Sequence, residues 1–186
     1  MYIRNSSRYG KEIKIIHPGE YYVTNRDEMI GTLLGSCIAV CIADLKSGVA
    51  GMNHFMLPGR ITENDILADK TARYGITAIN LLIDDLEVKG AIKKNFIAKI
   101  FGGGHVLGTD AGINAIPSDN IRLAKIMMEI EDIPIVSSDV GNNFTRKVLM
   151  DTKSGKVYLK KTTRQDVIDE INKRDIAYVK KSLSNG

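Results

Sequence analysis

The apolar positions of this chain occur mostly as short continuous runs bounded by turn residues, and a few longer segments follow helical spacing instead. Short apolar runs between turn signals are typical of buried strands. The pattern predicts strands at residues 13–18, 37–43, 49–57, 95–101, 133–137, 147–151 and 156–160.

Helical spacing of apolar residues predicts three helices. The first covers residues 71–86, the second begins at Ser118 as its N-cap and ends at Met128, and the last covers residues 164–173 or beyond. Strands mixed with helices and hairpin signals indicate an α/β (α+β) layered fold. We expect a mixed sheet with an N-terminal β-hairpin packed by helices. The strand order is left open.

The hairpin at residues 37–57 brings two reactive side chains within reach of each other. Cys37 follows a Gly-Ser turn, and His54 lies on the return strand. Opposed residues of an antiparallel pair share a face and have a constant sum of residue numbers. A sum of 91 sets Cys37 directly opposite His54, a sum of 93 makes them diagonal neighbours, and an even sum separates them. The hairpin permits the contact without requiring it.

A thiol beside an imidazole provides the two groups that cysteine-dependent catalysis requires, a nucleophile and its general base. The Gly35-Ser36 turn is a source of backbone N–H groups for an oxyanion. Each residue also has an ordinary interpretation, because a lone cysteine in an apolar run is usually a small buried hydrophobe, and a lone histidine is more often structural. Cys41 is interpreted as such a hydrophobe. From the residues alone, the pair stays a candidate for acyl transfer.

Length and composition are those of one ordinary globular domain, so residues 1–186 are treated as a single unit. No apolar run is long enough to span a membrane, and no signal sequence is present, which predicts a cytoplasmic protein without membrane insertion. Two cysteines four residues apart on a strand cannot form a disulfide, and the histidine spacing does not fit zinc. We therefore expect no metal and no cofactor.

The positive charge is concentrated at the C-terminal end, where residues 146–186 contain eleven basic and five acidic side chains. These basic residues are interleaved with apolar ones at helical spacing, which favours a solvated helix face over a nucleic-acid site. The glycine-rich segment at residues 101–108 lacks the spacing and the lysine of phosphate-binding loops. Its glycines are interpreted as positions of close backbone passage. His105, beside them, is interpreted as structural or exposed.

Leu34-Gly-Ser-Cys37-Ile-Ala-Val and Gly51-Met-Asn-His54-Phe-Met-Leu-Pro58 resemble the signature of the bacterial chemoreceptor glutamine deamidases, the CheD family. Further blocks of resemblance begin at Lys99, Asn120, Asp139, Arg146 and Gly155, so that the similarity covers about residues 15–160. The basic C-terminal helix, about residues 164–186, lies beyond it.

The resemblance implies an enzyme that converts glutamine side chains on the cytoplasmic helices of chemoreceptors to glutamate. The reaction passes through a cysteine thioester and releases ammonia, and hydrolysis of glutamyl methyl esters is a related activity. Cys37 is then the nucleophile and His54 the base. The resemblance also implies chemoreceptor cytoplasmic domains as partners, and a CheC-type phosphatase that restrains the reaction. An alternative is a non-catalytic module that uses the same fold to bind the phosphatase or the receptor.

Two positions depart from the family pattern. The family has a third catalytic residue, a threonine six positions before the cysteine, where this chain has Gly31. Either Thr32 takes that role, or another polar group such as Asn53 or Ser36 orients His54. Asn142 stands where the family usually has a second glycine.

Overall fold

Ten strands in the described part of the chain divide between two five-stranded sheets. A computed structural model describes the chain except for Pro58, Glu63, Asp65, residues 107–114 and 185–186, and the side chains of residues 179 and 181–184. The strands are β1 Tyr2–Ser6, β2 Lys11–Ile15, β3 Glu20–Thr24, β4 Met29–Leu34, β5 Ile38–Asp44, β6 Val49–His54, β7 Ile97–Gly102, β8 Ile135–Val140, β9 Thr145–Asp151 and β10 Val157–Thr162. The helices are α1 Ala72–Val88, α2 Ile116–Ile130 and α3 Gln165–Ser184, with a 3₁₀ turn at Lys93–Asn95.

The first sheet has the order β1-β2-β4-β9-β10, and the second has the order β3-β6-β5-β7-β8. Each contains one parallel pair, β2 with β4 and β7 with β8, among antiparallel neighbours. The predicted layered α/β class is confirmed. The division of the strands between two sheets is a feature that the sequence analysis did not contain.

The strand β5 lies at the centre of the layers and is buried on both faces. Ile38, Val40 and Ile42 face α1 and α2, while Ala39 and Cys41 face the first sheet. A strand with two buried faces needs apolar residues at every position. This arrangement explains why β5 appears in the sequence as an unbroken apolar run.

The hairpin of β5 and β6 has the register in which Cys37 and His54 are diagonal neighbours. Cys41 pairs with Met52 and Asp44 with Val49, and an isolated bridge pairs Ile38 with Phe55. The residue numbers of each pair sum to 93. Cys37 and His54 therefore belong to the same face of the second sheet, the face that points toward the first sheet.

The turn of this hairpin is held by the buried carboxylate of Asp44. Its Oδ1 accepts from the amides of Lys46 and Ser47 at 3.0 and 3.2 Å, and its Oδ2 accepts from the Ile92 amide at 3.0 Å. Burial opposes ionisation of Asp44, but these hydrogen bonds outweigh it and lower the pKa of the carboxyl to about 2. The turn is thus fixed by an ionised side chain.

Asp44→Ala is expected to lower the free energy of unfolding by about 2 kcal/mol, because three backbone amides lose their acceptor. The folded-state pKa of Asp44 lies below its unfolded value, so the stabilisation is complete above about pH 4 and is lost as the pH falls toward 2. Urea unfolding at pH 7 and pH 3 measures both effects. Asp166→Ala, at an exposed ion pair, is the control and should leave the midpoint unchanged. An Asp44 variant as stable as wild type at pH 7 would contradict this assignment.

The second helix begins earlier than predicted. Ser118 was expected as its N-cap, but α2 starts at Ile116, with Ala115 at the N-cap position and Pro117 in the first turn. Proline is favoured there, since its missing N–H has no partner in the first turn of a helix anyway. The strands β1, β3 and β4 were not predicted. Among the described residues, no helix is long and apolar enough to cross a membrane.

Candidate active site

Cys37 lies in the short crossover between β4 of the first sheet and β5 of the second. All three carbonyl groups of Gly35, Ser36 and Cys37 accept hydrogen bonds. The Gly104 amide donates to Gly35 O at 2.8 Å and the Gly103 amide donates to Cys37 O at 2.7 Å. The crossover is therefore clamped by the glycine-rich segment that follows β7.

This clamp requires glycine at position 102. The residue has a φ of +115°, and a Cβ there would lie 2.1 Å from the carbonyl oxygen of Cys37. No side chain fits at that distance. The interpretation of these glycines as positions of close backbone passage is confirmed for Gly102–Gly104, while residues 107 and 108 lie outside the described residues. His105 is exposed, and its amide donates to Asn142 O at 2.8 Å.

Asn120 of α2 holds the crossover from the opposite side. The side chain is completely buried; its Nδ2 donates to Ser36 O at 2.9 Å, and its Oδ1 accepts from the Leu57 amide at 2.9 Å. One amide side chain thereby joins the chain before β5 to the chain after β6. In the sequence, Asn120 stands out only as part of a block of family resemblance, because its two backbone partners are distant in sequence.

His54 is oriented by Thr32. The Thr32 hydroxyl donates its one proton to Ile16 O at 2.8 Å, and the same oxygen lies 2.7 Å from Nδ1 of His54. Because that proton is already used, Oγ1 of Thr32 accepts a hydrogen bond from Nδ1–H. The ring proton is then on Nδ1, and Nε2 carries the free lone pair. Nε2 is buried and has no hydrogen-bond partner among the described residues.

The other candidates for orienting His54 point elsewhere. A side chain at Gly31 would meet Ile13, Ile15 and Leu149 on the outer face of the first sheet. Asn53 lies on the helix-facing side, where it accepts from the Val40 amide and donates to Ala78 O. Ser36 contacts Met56 and Asp175. Of the three polar residues considered, Thr32 is the one that contacts the imidazole.

The thiol of Cys37 is inaccessible to solvent and lies 3.5 Å from Sδ of Met56. Burial raises the pKa of this thiol well above its usual value, and the negative charge of Asp175 raises it further, while Arg174 opposes the shift. His54 is equally buried. Burial lowers its pKa well below the usual value, and the positive charges of Arg174 and His17 add to the effect. Both shifts favour the neutral form of the side chain.

The second cysteine has a different environment. Cys41 lies in the middle of β5 and is almost fully buried, and burial raises the pKa of its thiol to about 12. Both cysteines are free thiols, as expected. The interpretation of Cys41 as a small buried hydrophobe agrees with this environment. Among the described residues, no group of three or more histidine, cysteine, aspartate or glutamate side chains has a geometry that could hold a metal ion.

A buried ion pair supports the glycine-rich segment. Arg146 is completely buried; its Nε and Nη2 donate to Oδ1 of Asp139 at 2.8 Å, and Nη2 also donates to Gly141 O at 2.8 Å. Asn142, which replaces the family's second glycine, has a φ of +63°. Asparagine is one of the few non-glycine residues that tolerate this left-handed conformation. Asn142 therefore adopts a backbone conformation that glycine also favours.

A cysteine in a clamped turn, on the same sheet face as a histidine whose ring is oriented by a third side chain, is typical of thiol-dependent amide and ester hydrolases. A family model described as CheD chemotactic sensory transduction matches residues 56–161. A protein of Hahella chejuensis named probable chemoreceptor glutamine deamidase CheD is 41% identical over 165 residues, which cover 86% of this chain and 74% of that protein. One of Herminiimonas arsenicoxydans with the same name is 38% identical over 177 residues, covering 95% and 86%. This chain belongs to the CheD family.

Proposed function

We propose that this chain is a chemoreceptor glutamine deamidase, which hydrolyses the side-chain carboxamide of glutamine on the cytoplasmic helices of chemoreceptors. The observation that carries the proposal is the hydrogen bond between Thr32 and His54, which leaves Nε2 of His54 as a free base in the site that holds Cys37. The names of the related proteins support chemoreceptor glutamine as the substrate.

In the proposed reaction, Cys37 is the nucleophile and His54 is the general base. Nε2 of His54 takes the thiol proton while Sγ attacks the carboxamide carbon. The tetrahedral intermediate collapses when His54 returns that proton to the nitrogen, so that ammonia leaves and a thioester remains. A water molecule then gives a proton to His54 and attacks the thioester, which releases glutamate and restores the thiol. Hydrolysis of a glutamyl methyl ester follows the same steps with methanol as the leaving group.

The turn around Cys37 supplies the remaining requirement, stabilisation of the oxyanion. The carbonyl groups of Gly35, Ser36 and Cys37 all accept hydrogen bonds from neighbouring segments, so the backbone orientation of the turn is fixed. A fixed turn presents its amides without reorganisation during the reaction, which is where preorganised donors have their largest effect. The amide of Cys37, which faces its own sulfur, is the donor we assign.

Thr32→Val is expected to lower kcat by about 100-fold with little change in KM, because an imidazole without its acceptor no longer holds Nε2 toward the thiol. The valine keeps the volume of the side chain but cannot accept from Nδ1–H. Thr32→Ser keeps the hydroxyl and should restore most of the rate. Steady-state kinetics on a receptor fragment separates kcat from KM. Equal losses in the valine and serine variants would show that packing, and not the hydroxyl, is what matters.

The function is tested by mass spectrometry of chemoreceptor cytoplasmic fragments incubated with the protein in oxygen-18 water. Glutamine-to-glutamate conversion with label in the new carboxylate is the expected result, and Cys37→Ala is the control. No conversion by a folded protein would overturn the proposal and favour the alternative, a non-catalytic binding module. The absence of the family threonine at Gly31 favours that alternative. However, Thr32 provides a hydroxyl beside His54.

A cytoplasmic location and a CheC-type phosphatase partner belong to the same proposal, and the family resemblance is what supports them. Free thiols at Cys37 and Cys41 are compatible with a reducing compartment. Co-purification with a CheC-type phosphatase that slows deamidation is the expected result for the partner.

A further inference from the structure

The C-terminal helix α3 lies directly over the crossover that carries Cys37. The family model ends at residue 161, and α3 begins at Gln165. At Gly35, an added Cβ would lie 2.8 Å from a methyl group of Ile171 and 3.1 Å from Oδ2 of Asp175. Ile168 and Ile171 are buried. This helix therefore forms one wall of the candidate active site.

The helix places a carboxylate against the reactive groups. Asp175 is completely buried; its Oδ2 accepts from the Ser36 hydroxyl at 3.1 Å, and its Oδ1 accepts from Arg174 at 2.7 Å. The carboxylate also faces the Cys37 thiol. Deamidation leaves a glutamate carboxylate, carried on a receptor helix, next to the thiol. The Asp175 carboxylate on α3 has the same chemistry and the same kind of support. Asp175 is one methylene shorter than that product.

The two reactive side chains are closed off from solvent in this structure. Cys37 and His54 have no solvent-accessible surface, and Nε2 of His54 lacks a partner among the described residues. A glutamine carboxamide on another protein must approach both Sγ and Nε2, and α3 lies against the crossover that carries Sγ. We propose that α3 is an internal competitive inhibitor, which occupies the substrate cleft with Asp175 in the place of the reacting side chain and must undock before a receptor helix binds. This inference rests on the proposed function and names its regulation.

The charges on α3 favour an unreactive thiol. Asp175 raises the pKa of Cys37, while Arg174 partly offsets it, and Arg174 together with His17 lowers the pKa of His54. With the helix docked, Asp175 favours the protonated thiol and Arg174 favours the neutral imidazole. Undocking removes Asp175 and Arg174 from the site, while Met56 and the Cys37 amide stay beside the thiol.

The attachment of α3 is suited to reversible release. Several side chains on α3 are exposed, among them Ile176, which is 41% exposed. Among the described residues, its contacts include the two buried isoleucines, the carboxylate of Asp175, Tyr178 against Gly19, and a hydrogen bond from Asn172 to Val106 O at 2.6 Å. No strand pairing is broken when this helix leaves. Elements with few buried contacts open locally at lower cost than the sheets.

The test is alkylation of the full chain by iodoacetamide, followed at each cysteine by peptide mass spectrometry. Ile171→Glu places a charge at the buried face of α3 and is expected to raise the alkylation rate of Cys37 at least about tenfold at neutral pH. Ile176→Glu, on the exposed face of the same helix, is the matched control and should leave the rate unchanged. Cys41 is an internal reference, since it reacts only if the sheets open.

An unchanged rate at Cys37 in Ile171→Glu, with Cys41 still protected, overturns the inference. If Ile171→Glu unfolds and both cysteines react together, hydrogen exchange of the wild-type chain decides. Exchange of α3 amides faster than β5 amides supports a detachable helix, and equal exchange overturns it. Neither readout requires a substrate. The inference can therefore fail while Cys37-dependent deamidation is observed, or hold while no receptor glutamine is converted.

Discussion

Cys37→Ala is expected to lower the rate of glutamine-to-glutamate conversion by at least about 1,000-fold, which is the scale seen when a covalent nucleophile is removed. Alanine keeps the backbone of the crossover and its three carbonyl hydrogen bonds. The fold and the cleft should therefore persist while thioester formation becomes impossible. Mass spectrometry of receptor fragments measures the residual conversion, and circular dichroism checks that the variant is folded.

Cys41→Ala is the matched control for this experiment. Both cysteines belong to the same buried cluster, but Cys41 lies in the middle of β5, outside the clamped turn. We expect Cys41→Ala to cost some stability through a small cavity and to keep its activity. Comparable loss in both variants would indicate that packing of β5, and not nucleophilic chemistry, determines the rate. Conversion that persists in Cys37→Ala would exclude the thioester route.

The hairpin shows how far local patterns predict this fold. Its strands are visible as apolar runs because β5 is buried on both faces, and its turn is visible as polar residues ending in Gly48. The sequence does not select a single register for the hairpin, because turn length alone allows more than one register. The strand β1 could not be found in this way. Its side chains are mostly exposed, so it has no apolar periodicity, and it is held by pairing with β2.

The residues of the candidate site also differ in whether local sequence patterns or tertiary contacts reveal them. Cys37 and His54 were found from one hairpin, since local spacing sets their shared face. Thr32 was one of several candidates, because its contact with His54 joins two different sheets. Asn120 and Arg146 act through backbone carbonyl groups and a carboxylate that only the folded chain brings near them. The docking of α3 over Cys37 is likewise tertiary, and its amphipathic pattern indicated a buried face without saying what that face covers.

His54→Ala is expected to lower kcat by about 100- to 10,000-fold, the range for loss of a general acid–base group. The thiol would lose its imidazole base, and the leaving nitrogen would lose its proton donor. Wild-type activity requires neutral His54. Burial is the largest cause that lowers its pKa, so the wild-type rate should stay constant down to a pH below about 6.5 before it falls. In the variant this acid limb disappears, and the residual rate should increase with pH as more thiolate forms.

The pH–rate profile on a receptor fragment measures both effects, and His105→Ala is the control. His105 lies beside the glycine-rich segment but is exposed, and we expect its removal to leave the profile unchanged. A His105 variant with the larger loss would reassign the base to that residue. A His54 variant that keeps the acid limb would show that another group titrates there, and the hydrogen bond from His54 to Thr32 would then be structural.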